Sequence, residues 1–375
     1  MKHHERTNAV LHYQKYDRLP LVSFGYWDQT LQKWADEGYV AREDALNWCA
    51  TQDNGPGDRN IMDALGFDFN WGSTLGGTGF LFPAFPETVL SVEADGTEVY
   101  TDESGHIQKR KPGIVSIPVD VGSLLTDRAA WEREYLPRLL YADARIDTQS
   151  MLETARLNGL KGLPTALHCG SLMGQVRNML GVVEMSYLIA DDETLFGDIV
   201  NTVADLCYRM VENTLKIGIR FDYAHFWEDI CFKNGPLLSP QLFDDLVGRH
   251  YARITGLLRS HGIDIVSLDC DGKIDALIPT WVRNGVNTMF PIEVGTWNAS
   301  IAPWREEYGR ELRGVGGMDK RVFTRDRAAV DAEIERLRAL VDLGGYIPCP
   351  DHRIAPDANY PMVAYYCERF RKVFG

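Results

Sequence analysis

Five apolar, strand-like runs in the second half of this chain end in ionisable side chains, and that pattern narrows the fold more than any other feature. The clearest is Asp264-Ile-Val-Ser-Leu-Asp269-Cys-Asp271-Gly272. The others close on His225-Phe-Trp-Glu228-Asp229, Pro291-Ile-Glu293, Gly317-Met-Asp319-Lys320 and Pro350-Asp351-His352. A buried strand cannot carry an unpaired carboxylate cheaply, so the charge belongs where the strand leaves the core. Parallel strands bring such ends to one face, and in an α/β barrel that face is where catalysis sits. The chain therefore reads as an enzyme with its chemistry at the strand tips.

The apolar runs fall at 19–27, 113–118, 163–169, 220–226, 264–268, 288–292, 312–318 and 345–349. Helical patterns lie between most of them. Asp191-Asp192 offers an N-cap for a helix whose Leu195, Ile199, Val203, Leu206 and Met210 recur every three or four residues on one face. Eight strand–helix units predict a TIM-type (β/α)8 barrel. With 375 residues, 45% of them hydrophobic, the chain suits a single barrel domain over 1–375. No GxGxxG follows the first strand, which argues against an open dinucleotide-binding sheet. Residues 51–84, rich in Gly, Asn and Pro, read as a loop region touching the active site. Residues 86–112 carry three short β-prone runs separated by Asp95-Gly96 and Ser104-Gly105, which predicts a small antiparallel insertion.

A formal net charge of -14 repels phosphate backbones, so nucleic acid is not an expected partner. No apolar run approaches the roughly 18 residues of a membrane span. The polar N-terminus, Met1-Lys-His-His-Glu-Arg, has no apolar signal core, so a cytoplasmic location is expected. The seven cysteines are odd in number, scattered and without a CxxC pair, as reduced thiols are.

Strand alternation assigns roles at the tips. Val266, Leu268 and Cys270 would face the outer helices, and Ser267, Asp269 and Asp271 the mouth. Two carboxylates at i and i+2 repel unless a metal, a lysine or a shared proton lies between them. Glu293 and His352 are candidate partners in such a metal site. The plainer readings are a helix cap at Asp271-Gly272, an ion pair at Glu293 and a solvated loop histidine at His352. At His225–Asp229, Phe226 and Trp227 offer apolar surface for an aromatic ring while a carboxylate handles a proton. There the plain alternative is core aromatics with Asp229 as a cap. His168 and Cys169 are adjacent on a strand and point apart, which argues against a nucleophilic dyad.

Taken together, Glu228, GPLLSP at 235–240, DCDG at 269–272, PIEV at 291–294, GGMDK at 316–320 and GGYIPCPDH at 344–352 resemble the uroporphyrinogen decarboxylase superfamily. The likeness covers roughly residues 110–375, and the N-terminal third only loosely. It implies a barrel with its site at the C-terminal mouth, and a homodimer. True uroporphyrinogen decarboxylases are metal-free and carry an Arg-rich N-terminal signature. Here Phe24-Gly-Tyr-Trp27-Asp28 has no arginine. The chain looks closer to the corrinoid-linked methyltransferases, which hold zinc with a His-x-Cys-Gly element and a Cys near the last strand. Asp269 falls where that family has its His, Asp271 where it has the first Cys, and His352 near the last Cys.

This resemblance implies zinc on Asp269, Asp271, Glu293 and His352, with oxygen and imidazole in place of thiolate. Such a metal is a stronger Lewis acid, suited to polarising the oxygen of a methyl ether. The expected reaction is O-demethylation of a methoxy small molecule, the methyl group passing to a partner corrinoid protein. Glu228, Asp229 and His225 would be the catalytic groups, and Trp27, Trp71 and Trp227 the wall for an aromatic donor. The alternative is a metal-free decarboxylase of a small (poly)carboxylic acid, for which Arg18, Arg220 and Arg353 would need to cluster at the mouth. A third reading is an accessory barrel that binds without turnover.

Overall fold

The computed structural model describes residues 1–112 and 119–375. Its core is a sheet of seven parallel strands. Their order is Tyr346–Pro350, Arg313–Met318, Thr288–Phe290, Val266–Asp269, Tyr223–Trp227, Ala166–His168 and Thr74–Leu75. A separate parallel pair joins Val22–Ser23 to Phe69–Asn70, and Tyr26 bridges in parallel to Ile354, just past the last strand. The result is a mixed α/β, TIM-like arrangement with helices between strands. Tyr346–Pro350 is buried throughout, as expected of a parallel strand covered on both faces. The longest helix, Glu193–Lys216, starts where Asp192 accepts from the Leu195 amide at 2.8 Å, and it buries the periodic residues named above.

Strand register sets the height of the site. Asp269 lies opposite Trp227 on one side and Phe290 on the other, and Met318 lies opposite Pro350. Residues just past these positions (Asp229, Asp271, Glu293 and His352 among them) therefore leave the sheet at the same end.

Two sequence expectations change. Residues 51–84 are not one loop: they hold a helix, Pro56–Leu65, and the short strands Phe69–Asn70 and Thr74–Leu75. Pro56 opens that helix and Gly66, at φ 91°, ends it in the left-handed region. Thr74–Leu75 is thus the strand beside Ala166–His168. The strand expected at 113–118 lies outside the described residues. The antiparallel insertion has the three expected strands, Thr88–Val92, Glu98–Thr101 and His106–Arg110. It also has a fourth, Val119–Ser123, which takes it past residue 112. Among the described residues, no helix is long and apolar enough to cross a membrane.

Asp58, fully buried in the Pro56–Leu65 helix, accepts from Trp48 Nε1 at 3.1 Å and Asn70 Nδ2 at 3.4 Å. Burial, reinforced by nearby Asp53, pushes its carboxyl up to about 8. A raised folded pKa means the neutral form is the one the fold favours, so its stabilisation is lost as pH rises through that value. Between about pH 7 and 9, wild type should lose about 1 kcal/mol more unfolding free energy than Asp58→Asn in urea titrations. Equal pH slopes would contradict this account.

Candidate functional site

The strand tips converge as the alternation requires. One ligand atom from each of Asp271, Glu293 and His352 lies within 4.8 Å of the others. Asp229, Asp269 and Asp271 make a second such group, sharing Asp271. Of the four expected metal residues, three therefore meet directly, while Asp269 stands with Asp229 on the other side of Asp271.

Each member is placed by its own strand end. Asp271 precedes Gly272, whose φ is 88° and where any Cβ would come within 2.5 Å of the Cys231 carbonyl oxygen. The DCDG turn therefore needs its glycine. The Gly272 amide donates to Glu293 at 2.6 Å, and Thr296 Oγ1 donates to the other Glu293 oxygen at 2.8 Å. Ile292, just before Glu293, has φ 57°, and Asp229 has φ 49°. A β-branched residue in that region is strained, and such strain concentrates at functional sites. His352 Nε2 sits 3.0 Å from Asp271 Oδ2. Asp229 accepts from the Asp271 amide at 3.0 Å and from Trp227 Nε1 at 3.1 Å.

Electrostatics follow from this crowding. Burial, then the charge of Asp271, lifts Asp229 to about 6. Burial, then Asp229 and Asp271, pushes Asp269 well above the carboxylate range. Glu293 is raised by burial and then by Asp271. Half-buried Lys320 donates to the Arg353 carbonyl at 2.8 Å, and burial lowers its pKa despite the pull of Asp351, Asp271 and Glu293.

These residues fit a bound cation. Among the described residues, Asp271 Oδ1 and His352 Nδ1 are buried without a hydrogen-bond partner. Carboxylate oxygens with one imidazole form a donor set that suits zinc and other first-row divalent ions.

Other expected site residues lie elsewhere. Glu228 does not face the mouth. It is fully buried and accepts from the amides of Leu172, Met173 and Gly174 at 2.9 Å each, from Ser171 Oγ at 3.0 Å, and from the Tyr251 hydroxyl. Its carboxylate caps the Gly174–Leu180 helix, with both oxygens accepting from donors there. His225 points into the sheet interior, with Nδ1 3.2 Å from Ser267 Oγ. Burial, then His168, pushes it down to about 3, so it stays neutral rather than acting as an acid. Trp71 is also interior, stacked on Tyr223 at 4.2 Å and donating to Ser267 Oγ at 3.1 Å. Trp27 and Trp227 do reach the cluster. Trp27 is 40% exposed and its ring lies 6.2 Å from that of His352, while Trp227 is bonded to Asp229.

The arginines do not gather at the mouth. Arg18 pairs with Asp68, Arg220 lines a cavity with Asn8 and Asp264, and Arg353 grips Asp53 through both guanidinium nitrogens at 2.8 and 2.5 Å. That last clamp, beside His352, is a site feature the sequence reading missed. Its signal was the charge pair itself, with Asp53 in the stretch expected to touch the site.

No protein-family model matches the chain, and no curated protein matches it. Among solved structures, it is similar to a methyltransferase from Methanosarcina mazei. The identity is 15%, both chains are covered fully, and the TM-score is 0.61. It is also similar to a B12-independent methionine synthase from Shewanella sp. W3-18-1, at 12% identity. That match covers 95% of this chain and 98% of the other, and its TM-score of 0.46 is too low to carry weight. The first likeness shows the fold alone. It agrees with the barrel-like architecture implied by the uroporphyrinogen decarboxylase resemblance and does not separate the branches.

Replacing Glu228 with Ala should strip five buried donors of their acceptor and cost about 3 kcal/mol of stability in denaturant unfolding. A loss under about 1 kcal/mol would show that Glu228 does not hold this helix in place.

Proposed function

We propose that this chain is a methyltransferase that removes a methyl group from the oxygen of a methoxylated small molecule and passes it to a partner corrinoid protein. Asp271, Glu293 and His352 would hold zinc, with Asp269 beside them. The carrying observation is the convergence of these three residues at one sheet end, with Asp271 Oδ1 and His352 Nδ1 buried and unpartnered. Bound there, zinc supplies Lewis acidity toward the donor's oxygen.

The chain's own residues supply the rest. Trp27 and Trp227 flank the cluster and give an aromatic donor two apolar surfaces. Asp229, whose burial favours the protonated form, is the proton carrier at the site. As the carbon–oxygen bond breaks, the bonding pair stays on oxygen, the methyl group leaves to the corrinoid, and Asp229 protonates the oxygen to give the free hydroxyl. The same reading takes 1–375 as one closed barrel, completed by the Val22–Ser23 pair and the Tyr26–Ile354 bridge. It includes a homodimer in the cytoplasm. The metal-free decarboxylase stands below it, because Arg18 and Arg353 are held in ion pairs with Asp68 and Asp53.

The test incubates the enzyme and a Co(I) corrinoid protein with a panel of methoxyarenes and measures released phenol. Wild type should release phenol and His352→Ala should lose at least about a hundredfold, as metal-site losses do. Asp229→Asn, which cannot give up a proton, should be slow. No phenol from any donor would sink the proposal.

A further inference from the structure

A cleft of about 360 Å³ lies between the antiparallel insertion and the Gly174–Leu180 helix. His106 lines it and is only 5% exposed. The Tyr100 hydroxyl bonds to Gln108 Oε1 at 2.9 Å, which leaves the Gln108 amide nitrogen to donate to His106 Nδ1 at 3.2 Å. That bond makes Nδ1 the acceptor and places the ring proton on Nε2. Among the described residues, Nε2 is buried without a hydrogen-bond partner, its closest acid being Asp120 Oδ1 at 3.7 Å. Across the same cleft, Arg177 Nε is also buried and unpartnered. The Arg177 guanidinium otherwise donates to Asn178 Oδ1 at 3.0 Å and lies 5.8 Å from the Trp227 ring.

Buried N–H donors without acceptors are rare in folded proteins, and two lining one cleft call for an acceptor from outside. We propose that this cleft binds a small organic carboxylate, held between the His106 Nε2–H and the Arg177 guanidinium. One fixed positive charge and two N–H donors match a single carboxylate. A phosphate would bring more negative charge against Asp120 and Asp102 than Arg177 alone offsets. Asp102 is already committed, its Oδ1 accepting from the Ser104 and His106 amides. Asp120 is the opposing charge, and its side chain is 41% exposed. This proposal does not rest on the reading of the metal cluster, which it adjoins through Arg177 and the Trp227 ring.

Calorimetric titration with benzoate and with benzamide, its uncharged isostere, tests the proposal. Benzoate should bind at least about tenfold more tightly than benzamide, and His106→Gln and Arg177→Gln should each weaken benzoate about tenfold. Asp120→Asn, a change at an exposed side chain, should tighten benzoate binding severalfold, a gain that disrupted folding would not produce. His352→Ala should leave benzoate affinity unchanged. Equal binding of the two probes, no saturable benzoate binding, weaker binding in Asp120→Asn, or loss in His352→Ala would each overturn the assignment.

Discussion

Like charge gathered at one end of the sheet is the constraint on which the rest of this structure depends. Asp271 meets Glu293 and the imidazole of His352 on one side and Asp229 and Asp269 on the other, within 4.8 Å in each group. Burial and mutual repulsion push three of these carboxyls upward, and Lys320 is the nearby ammonium. Such an arrangement costs stability on its own and becomes favourable when a cation or shared protons neutralise it. The strand tips are therefore built for charge to be brought in.

The surrounding elements serve that geometry. Glu228 locks the Gly174–Leu180 helix to the strand end, and the approach is so close that a Cβ at Gly174 would lie 2.1 Å from the Glu228 carbonyl oxygen. This fixes the point at which Asp229 turns into the left-handed region and faces the cluster. Opposite, Arg353 ties the loop after the last strand to Asp53, and Phe24 packs edge-on against His352 at 5.8 Å. The cluster is held from both sides by interactions that do not themselves bear on a substrate.

Much of this was legible in the sequence. Alternation along the strand put Ser267, Asp269 and Asp271 on one face; Asp271 reaches the mouth, while Ser267, lower on the strand, is buried against Trp71 and His225. The same rule applied to 225–229 would have separated the inward His225, Trp227 and Asp229 from the outward Glu228. Adjacent acids at a strand tip cannot both reach the mouth. Trp71 could not be placed from sequence, because its stacking on Tyr223 depends on a partner 152 residues away. The Pro56–Leu65 helix was hidden by its glycine- and asparagine-rich flanks, although Pro56 and Gly66 are the start and stop signals of a helix.

Zinc-edge X-ray absorption on the zinc-loaded protein tests the central claim most directly. With Asp271, Glu293 and His352 as ligands, one zinc per chain should show only oxygen and nitrogen neighbours at about 2.0–2.2 Å. A sulfur shell near about 2.3 Å, or no stoichiometric zinc at all, would contradict a metal centre built from these strand-tip residues.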